Sequence, residues 1–254
     1  MSKRVDLQGQ TIVFTGQPKS NEAILEVERL GGNVKIFPLI QIKESTTQDE
    51  FFIEKLSTYD WLIFTSQNAV LSFSKKIDRH QIRIDDIAVS IAAVGIKTAS
   101  ALEDLGLDVS FMPTHYSADA FVEQFPKVSE RKDSCLFLRG SLANATIKEG
   151  LGQFVEEWTV YETLPEAKNS SSLSTYIAQQ PDVFVAFASP SAVDIYAREI
   201  ATHIGWTHCK IAAIGHVTAA TLKNYGAPVH VQPATYTWLA LIQEIAKWKE
   251  GSLK

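Results

Sequence analysis

A chain of 254 residues is long enough to bury two modest hydrophobic cores. Its hydrophobic content of 45% and charged content of 21% are those of an ordinary globular protein, and its net charge of −5 lacks the electrostatic footprint of a nucleic-acid binder, so no nucleic-acid partner is expected. The longest apolar runs, such as 183–188, suit buried strands and are too short to span a membrane, so no membrane partner is expected either.

Met1-Ser2-Lys3-Arg4-Val5-Asp6 carries charge without an apolar run, so no export signal is read there. Residues 11–15 read as a strand, and 21–30 follow with helical spacing, closed by Gly31-Gly32. Residues 34–37 read as a second strand, and the polar stretch 43–48 as a connection. Strand 61–64 leads into a helix through Ser66, strand 91–94 through Gly95, and strand 135–138 through Arg139-Gly140-Ser141. The stretch 155–163 is rich in β-formers, and the polar stretch 166–172 reads as a second connection. Strands 183–187 and 211–214 again feed helices, and a last helix over 238–248 starts at Thr237, a good cap. Continuous apolar strands alternating with helices argue for parallel sheets covered on both faces. Cys135 lies inside an apolar run and Cys209 before one; both read as small buried hydrophobes of a chain kept in a reducing compartment, the cytoplasm.

The chain says nearly the same thing twice. Phe64-Thr65-Ser66-Gln67-Asn68-Ala69-Val70 returns as Phe187-Ala188-Ser189-Pro190-Ser191-Ala192-Val193. Val94-Gly95-Ile96-Lys97-Thr98-Ala99 returns as Ile214-Gly215-His216-Val217-Thr218-Ala219, and Pro113, Tyr116 and Ser117 return as Pro233, Tyr236 and Thr237. The offset of roughly 120 residues is too long for a solenoid repeat and suits a small α/β domain. Two similar domains are therefore expected, with a ligand cleft where they face each other.

Each repeated motif is a buried strand, a small or hydroxyl residue, then a helix. Open α/β sheets bind ligands at that place, beyond the carboxyl ends of their strands. Helix N-termini there expose N–H groups and partial positive charge, each worth about 0.3–1 kcal/mol toward an anion. The candidates for one anion-binding cleft are Thr65, Ser66, Gly95, Thr98, Ser117, Arg139, Gly140, Ser141, Ser189, Ser191, Gly215, Thr218 and Thr237. Each hydroxyl among them is also a plausible plain cap for its helix. Tyr161, near the return from one domain to the other, is a phenol able to donate a proton.

Other chemistries find little support. There is no glycine-rich nucleotide loop and no serine-hydrolase elbow. The six histidines form no ligand pattern with each other or with the cysteines, so neither metal nor cofactor is expected. His216 draws notice because it sits in the second Gly-x-x-Thr turn.

Taken in order, Phe64-Thr65-Ser66-x-x-Ala69-Val70, Val94-Gly95-x-x-Thr98-Ala99, Tyr116-Ser117-Ala118, Leu138-Arg139-Gly140, Val160-Tyr161-Glu162-Thr163, Ser189-Pro190-Ser191-Ala192-Val193 and Ile214-Gly215-x-x-Thr218-Ala219 resemble the uroporphyrinogen-III synthase family along essentially the whole chain. The resemblance implies two flavodoxin-like α/β domains joined by a two-strand linker, one inserted into the other. Residues 1–40 with 164–254 would form the first domain and 41–163 the second. It implies a cofactor-free cyclisation of hydroxymethylbilane, a linear octacarboxylate tetrapyrrole. Loss of the terminal hydroxyl gives an azafulvene; attack by a substituted carbon of the last ring gives a spiro intermediate. Fragmentation and reclosure invert that ring and yield uroporphyrinogen III. Tyr161 matches the tyrosine proposed to assist hydroxyl loss, and Ser66, Thr98, Ser189 and Thr218 match carboxylate-contacting positions. A monomer is expected, and the resemblance allows a transient contact with hydroxymethylbilane synthase.

Two family arginines are replaced. The first strand ends Thr15-Gly16-Gln17-Pro18 instead of Thr-Arg, and Ser141-Leu142-Ala143-Asn144-Ala145 lacks a second arginine, which leaves Arg139 and Lys148 to compensate. The competing readings are a non-catalytic two-domain binder of an anionic small molecule, distinguished by turnover, and a sugar-nucleotide transferase, for which a nucleotide loop is missing.

Overall fold

The structure, a computed structural model, describes residues 6–18, 20–180 and 182–252. Of the segment 1–6, read above for an export signal, all but Asp6 lies outside them. The chain divides into two compact units: Met1–Gln41 with Leu164–Lys254 (unit 1), and Ile42–Thr163 (unit 2).

Nine strands are found among the described residues: β1 (Thr11–Phe14), β2 (Asn33–Ile36), β3 (Ile40–Glu44), β4 (Trp61–Phe64), β5 (Ser90–Ala93), β6 (Cys135–Gly140), β7 (Val155–Pro165), β8 (Val183–Phe187) and β9 (Lys210–Ala213). They form two sheets, ordered β2-β1-β8-β9 and β3-β7-β6-β4-β5. The pairings of β1 with β2 and β8, of β8 with β9, of β4 with β5 and β6, and of β6 with β7 are all parallel. The fold is thus α/β with parallel sheets, as the alternation of apolar runs and helical spacing predicts. At the sheet edge, β3 lies beside β7. The Ser45 amide donates to the Val160 carbonyl and the Glu166 amide to that of Leu39, an antiparallel pattern. Both strands cross the boundary between the units.

Period-two alternation explains how four-residue strands serve two cores. In β4, Leu62 and Phe64 pack on one face with Phe73 and Trp158, while Trp61 and Ile63 pack on the other with Phe121 and Phe137. In β8, Val183, Val185 and Phe187 join one core, and Phe184 and Ala186 the other. The covering helices show the complementary period: helix Gln67–Arg79 buries Ala69, Val70, Phe73 and Ile77.

One reading changes. Residues 166–172, expected as a connection, contribute most of their length to helix Ala167–Gln179. Serines and polar residues dominate its sequence, but Ser170, Leu173 and Ile177 recur at helical spacing and are buried. Asn169 anchors its first turn by donating to the Pro38 carbonyl at 2.9 Å. The other connection, 43–48, begins within β3.

Candidate functional site

The two units repeat each other at the carboxyl ends of their strands. Ser66, after β4, caps helix Gln67–Arg79 by accepting from the Ala69 amide at 3.2 Å, with φ −152° and ψ 149°. Ser189, after β8, caps helix Pro190–Tyr196 through the Ala192 amide at 3.2 Å, with φ −149° and ψ 150°. Ser117 and Thr237 form a second matched pair, accepting from the Ala120 amide at 3.2 Å and the Ala240 amide at 3.1 Å. Thr65 and Ser191 flank the first pair and are half-buried.

Gly95 and Gly215 open the helices Ile96–Glu103 and His216–Asn224. In each case a tyrosine packs over the glycine, in ordinary contact at Gly95 and closely enough at Gly215 for its ring to exclude a side chain. A Cβ on Gly95 would lie 3.4 Å from Tyr116 Cβ, and one on Gly215 would lie 2.9 Å from Tyr236 Cγ. Gly95 also has a φ of +94°, which disfavours any other residue. Thr98 and Thr218 are buried, at 4% and 3% exposure, so the outward side chains of these turns are those of Ile96 and Lys97, and of His216 and Val217.

The structure brings three of the predicted residues together inside unit 2. β6 and β7 shift register between Arg139 and Gly140, so that Arg139 pairs with Thr159 but Gly140 with Tyr161. Tyr161 then lies across Gly140, where a Cβ would sit 2.3 Å from Tyr161 Cζ and 2.6 Å from its hydroxyl. Only glycine lets the phenol rest there. The Tyr161 hydroxyl reaches Ser66 Oγ at 3.2 Å, 95 positions away in sequence. The Ser141 amide donates to the Tyr161 carbonyl at 2.9 Å and fixes the strand from the other side.

Arg139 is differently placed. Its guanidinium is turned onto Glu157, 2.5 Å away, and onto the Ala143 carbonyl. The Lys148 ammonium donates to the Val155 carbonyl. Both cations expected to balance the absent arginines are engaged within unit 2. Sequence reasoning also passed over Tyr116 and Tyr236 as parts of the site, although their matched positions in the repeat were a usable signal. Burial pushes the Cys135 thiol up to about 12 and the Cys209 thiol up to about 11, so neither supplies a thiolate near neutral pH. Among the described residues no cluster of His, Cys, Asp or Glu has the makings of a metal site.

A duplicated α/β protein with capped, glycine-opened turns beyond its parallel strands is defined by these features, with one phenol–hydroxyl pair set among them. The family profile of uroporphyrinogen-III synthase HemD matches residues 21–243. The chain belongs to the uroporphyrinogen-III synthase family, a family of enzymes. It is 27% identical over 248 residues to the uroporphyrinogen-III synthase of Chlorobaculum parvum, covering 94% of this chain and 98% of that one. It is 26% identical to that of Synechococcus elongatus, covering 95% and 96%. The crystal structure of a mutant uroporphyrinogen III synthase from Thermus thermophilus shares the fold with a TM-score of 0.74 at 15% identity, covering 95% of this chain and 99% of that one. The structure of uroporphyrinogen-III synthetase from Helicobacter pylori does so with a TM-score of 0.62 at 17% identity, covering 96% and 100%.

Proposed function

We propose that this chain closes hydroxymethylbilane to uroporphyrinogen III, with Tyr161 as the acid that assists departure of the terminal hydroxyl. The observation that carries the role of Tyr161 is its contact with Ser66 across Gly140. The Ala69 amide already donates to Ser66 Oγ. If Ser66 gives its own hydrogen to the phenol oxygen, the Tyr161 proton is left for a ligand. The N-terminus of helix Gln67–Arg79, beside this pair, favours the negative charge that grows on the phenol as that proton leaves.

The terminal hydroxyl takes the proton of Tyr161 and departs as water, leaving the azafulvene. The substituted carbon of the last ring attacks to form the spiro intermediate, which fragments and recloses through the free carbon. The proton released from that carbon restores the phenol. Bilane left to itself closes to the uninverted isomer I, so the larger task of the protein is to hold the folded geometry. The capped turns at Ser66, Ser117, Ser189 and Thr237, with Thr65, Ser191 and the glycine turns at Thr98 and Thr218, take the carboxylates in this reading. Arg139 shapes the loop 140–143 that carries Gly140. A monomer working in the cytoplasm, meeting hydroxymethylbilane synthase transiently, completes the proposal.

The test is to incubate freshly made hydroxymethylbilane with the protein, oxidise the product, and resolve uroporphyrins I and III. A dominant III isomer is expected, and Tyr161→Phe should fold normally while turning over at least about tenfold more slowly. Isomer I alone from folded protein would reject the reading, and undiminished turnover in Tyr161→Phe would remove the acid role.

A further inference from the structure

The two glycine turns differ in where they carry a cationic side chain. After β5 the chain reads Gly95-Ile96-Lys97-Thr98; after β9 it reads Gly215-His216-Val217-Thr218. The basic residue has moved one position toward the glycine, a rotation of about 100° around a helix. In unit 1 that rotation makes a contact that an isoleucine cannot make. His216 Nδ1 lies 3.0 Å from the Tyr236 hydroxyl, with ring centroids 5.3 Å apart. Tyr236 is itself seated on Gly215. Both rings are exposed, Tyr236 at 44%.

The tether matters for chemistry. With Nδ1 accepting the phenol proton, the imidazole carries its hydrogen on Nε2; a protonated ring carries one on each nitrogen. Either form offers Nε2–H to an anion, and the tether removes part of the rotamer freedom that binding would otherwise cost. Local charge gives the pair its weight. In the turns after β1, β8 and β9 and in the 232–237 turn the sequence carries two basic side chains, Lys19 and His216, of which Lys19 lies outside the described residues. In unit 2, Arg139 and Lys148 are engaged internally.

We propose that His216, held by Tyr236, is a carboxylate-binding residue for the tetrapyrrole and contributes to substrate and product affinity. The proposal rests on the synthase reading above. Its test uses the whole chain with hydroxymethylbilane as substrate and uroporphyrin III, an octacarboxylate, as ligand. His216→Ile copies the residue that unit 2 carries at Ile96 on the same Gly–Tyr framework, so folding should be retained. Uroporphyrin III should bind about three- to tenfold more weakly, and KM should rise while kcat holds. His216→Lys should recover most of that loss at low salt and give it up at high salt. If the wild type makes the III isomer but Kd and KM are unmoved in His216→Ile, the assignment of His216 is overturned alone. If the wild type makes no III isomer, the reading beneath it falls as well. A loss of affinity that His216→Lys does not recover would also overturn it, since the histidine would then act through packing.

Discussion

Ser66 and Ser189 occupy the same position in two copies of one motif, yet their surroundings differ. Each accepts one amide hydrogen of its helix at the same distance and with nearly the same φ and ψ. Replacing either by alanine should therefore cost about 1 kcal/mol of stability, to be read by denaturant unfolding. Only Ser66 also touches a phenol. Ser66→Ala should lower kcat, because Tyr161 loses the partner that frees its proton, whereas Ser189→Ala should act on KM. Equal kinetic effects from the two substitutions would show that the contact with Tyr161 has no catalytic consequence. Gly140 makes that contact sterically possible, a role distinct from touching ligand, which its place in the Leu-Arg-Gly motif alone does not reveal.

Helix Gln67–Arg79 joins the Ser66–Tyr161 pair to an ionic cluster at its other end. Lys76 is fully buried, donating to Asp49 at 2.7 Å and to the Ser45 carbonyl, with Glu44 at 3.4 Å and the Trp158 ring 5.3 Å away. Arg79 closes the cluster on Glu44 at 2.8 Å and Asp49 at 3.2 Å. Removing one partner of a buried pair leaves an uncompensated charge, so Lys76→Met should cost about 3 kcal/mol. Adding Asp49→Asn should recover part of it. Chemical denaturation of the single and double variants checks both values, and a neutral Lys76→Met would mean that the cluster contributes nothing net. None of this was legible in the sequence, because Lys76 looks like any basic residue near a helix end and its partners are 27 to 32 positions away. The strands and caps were legible for the opposite reason. Apolar runs such as Trp61–Phe64 and caps such as Ser66 are decided by neighbours in sequence. Helix Ala167–Gln179 escaped because its serines favour loops locally, while the burial of Leu173 and Ile177 that overrides them is tertiary.

The stability of the chain should depend on pH through His230. Burial lowers its pKa from the usual 6.5, and the nearby Lys210 charge adds to this. The Ile211 amide donates to Nδ1 at 2.9 Å, occupying the lone pair that a proton would need. Because the folded-state pKa lies below the unfolded one, the unfolded chain binds more protons between the two values. The stabilisation is then complete above about pH 6.5 and is lost as pH falls through the lowered value. Thermal midpoints should drop from about pH 7.5 to about pH 5.5, and His230→Gln, which keeps an acceptor for Ile211 but cannot titrate, should flatten that slope. An unchanged slope in His230→Gln would assign the dependence to other groups.

The order of strands in the two sheets has a consequence for how the chain could be cut and rejoined. Across unit 2 the sheet reads β7-β6-β4-β5, and across unit 1 it reads β2-β1-β8-β9. Each place in one sheet thus has its counterpart in the other, yet β6 and β7 come last in their unit while β1 and β2 come first in theirs. Read cyclically, β4-β5-β6-β7 is followed by β8-β9-β1-β2, the same order twice. The Lys249 ammonium donates to the Leu7 carbonyl, so the segments that a cyclic reading would join already touch. A circular permutant opened ahead of β3, with the segments around Leu7 and Lys249 linked, would turn the interleaved duplication into a plain tandem one without asking either sheet to change its pairing.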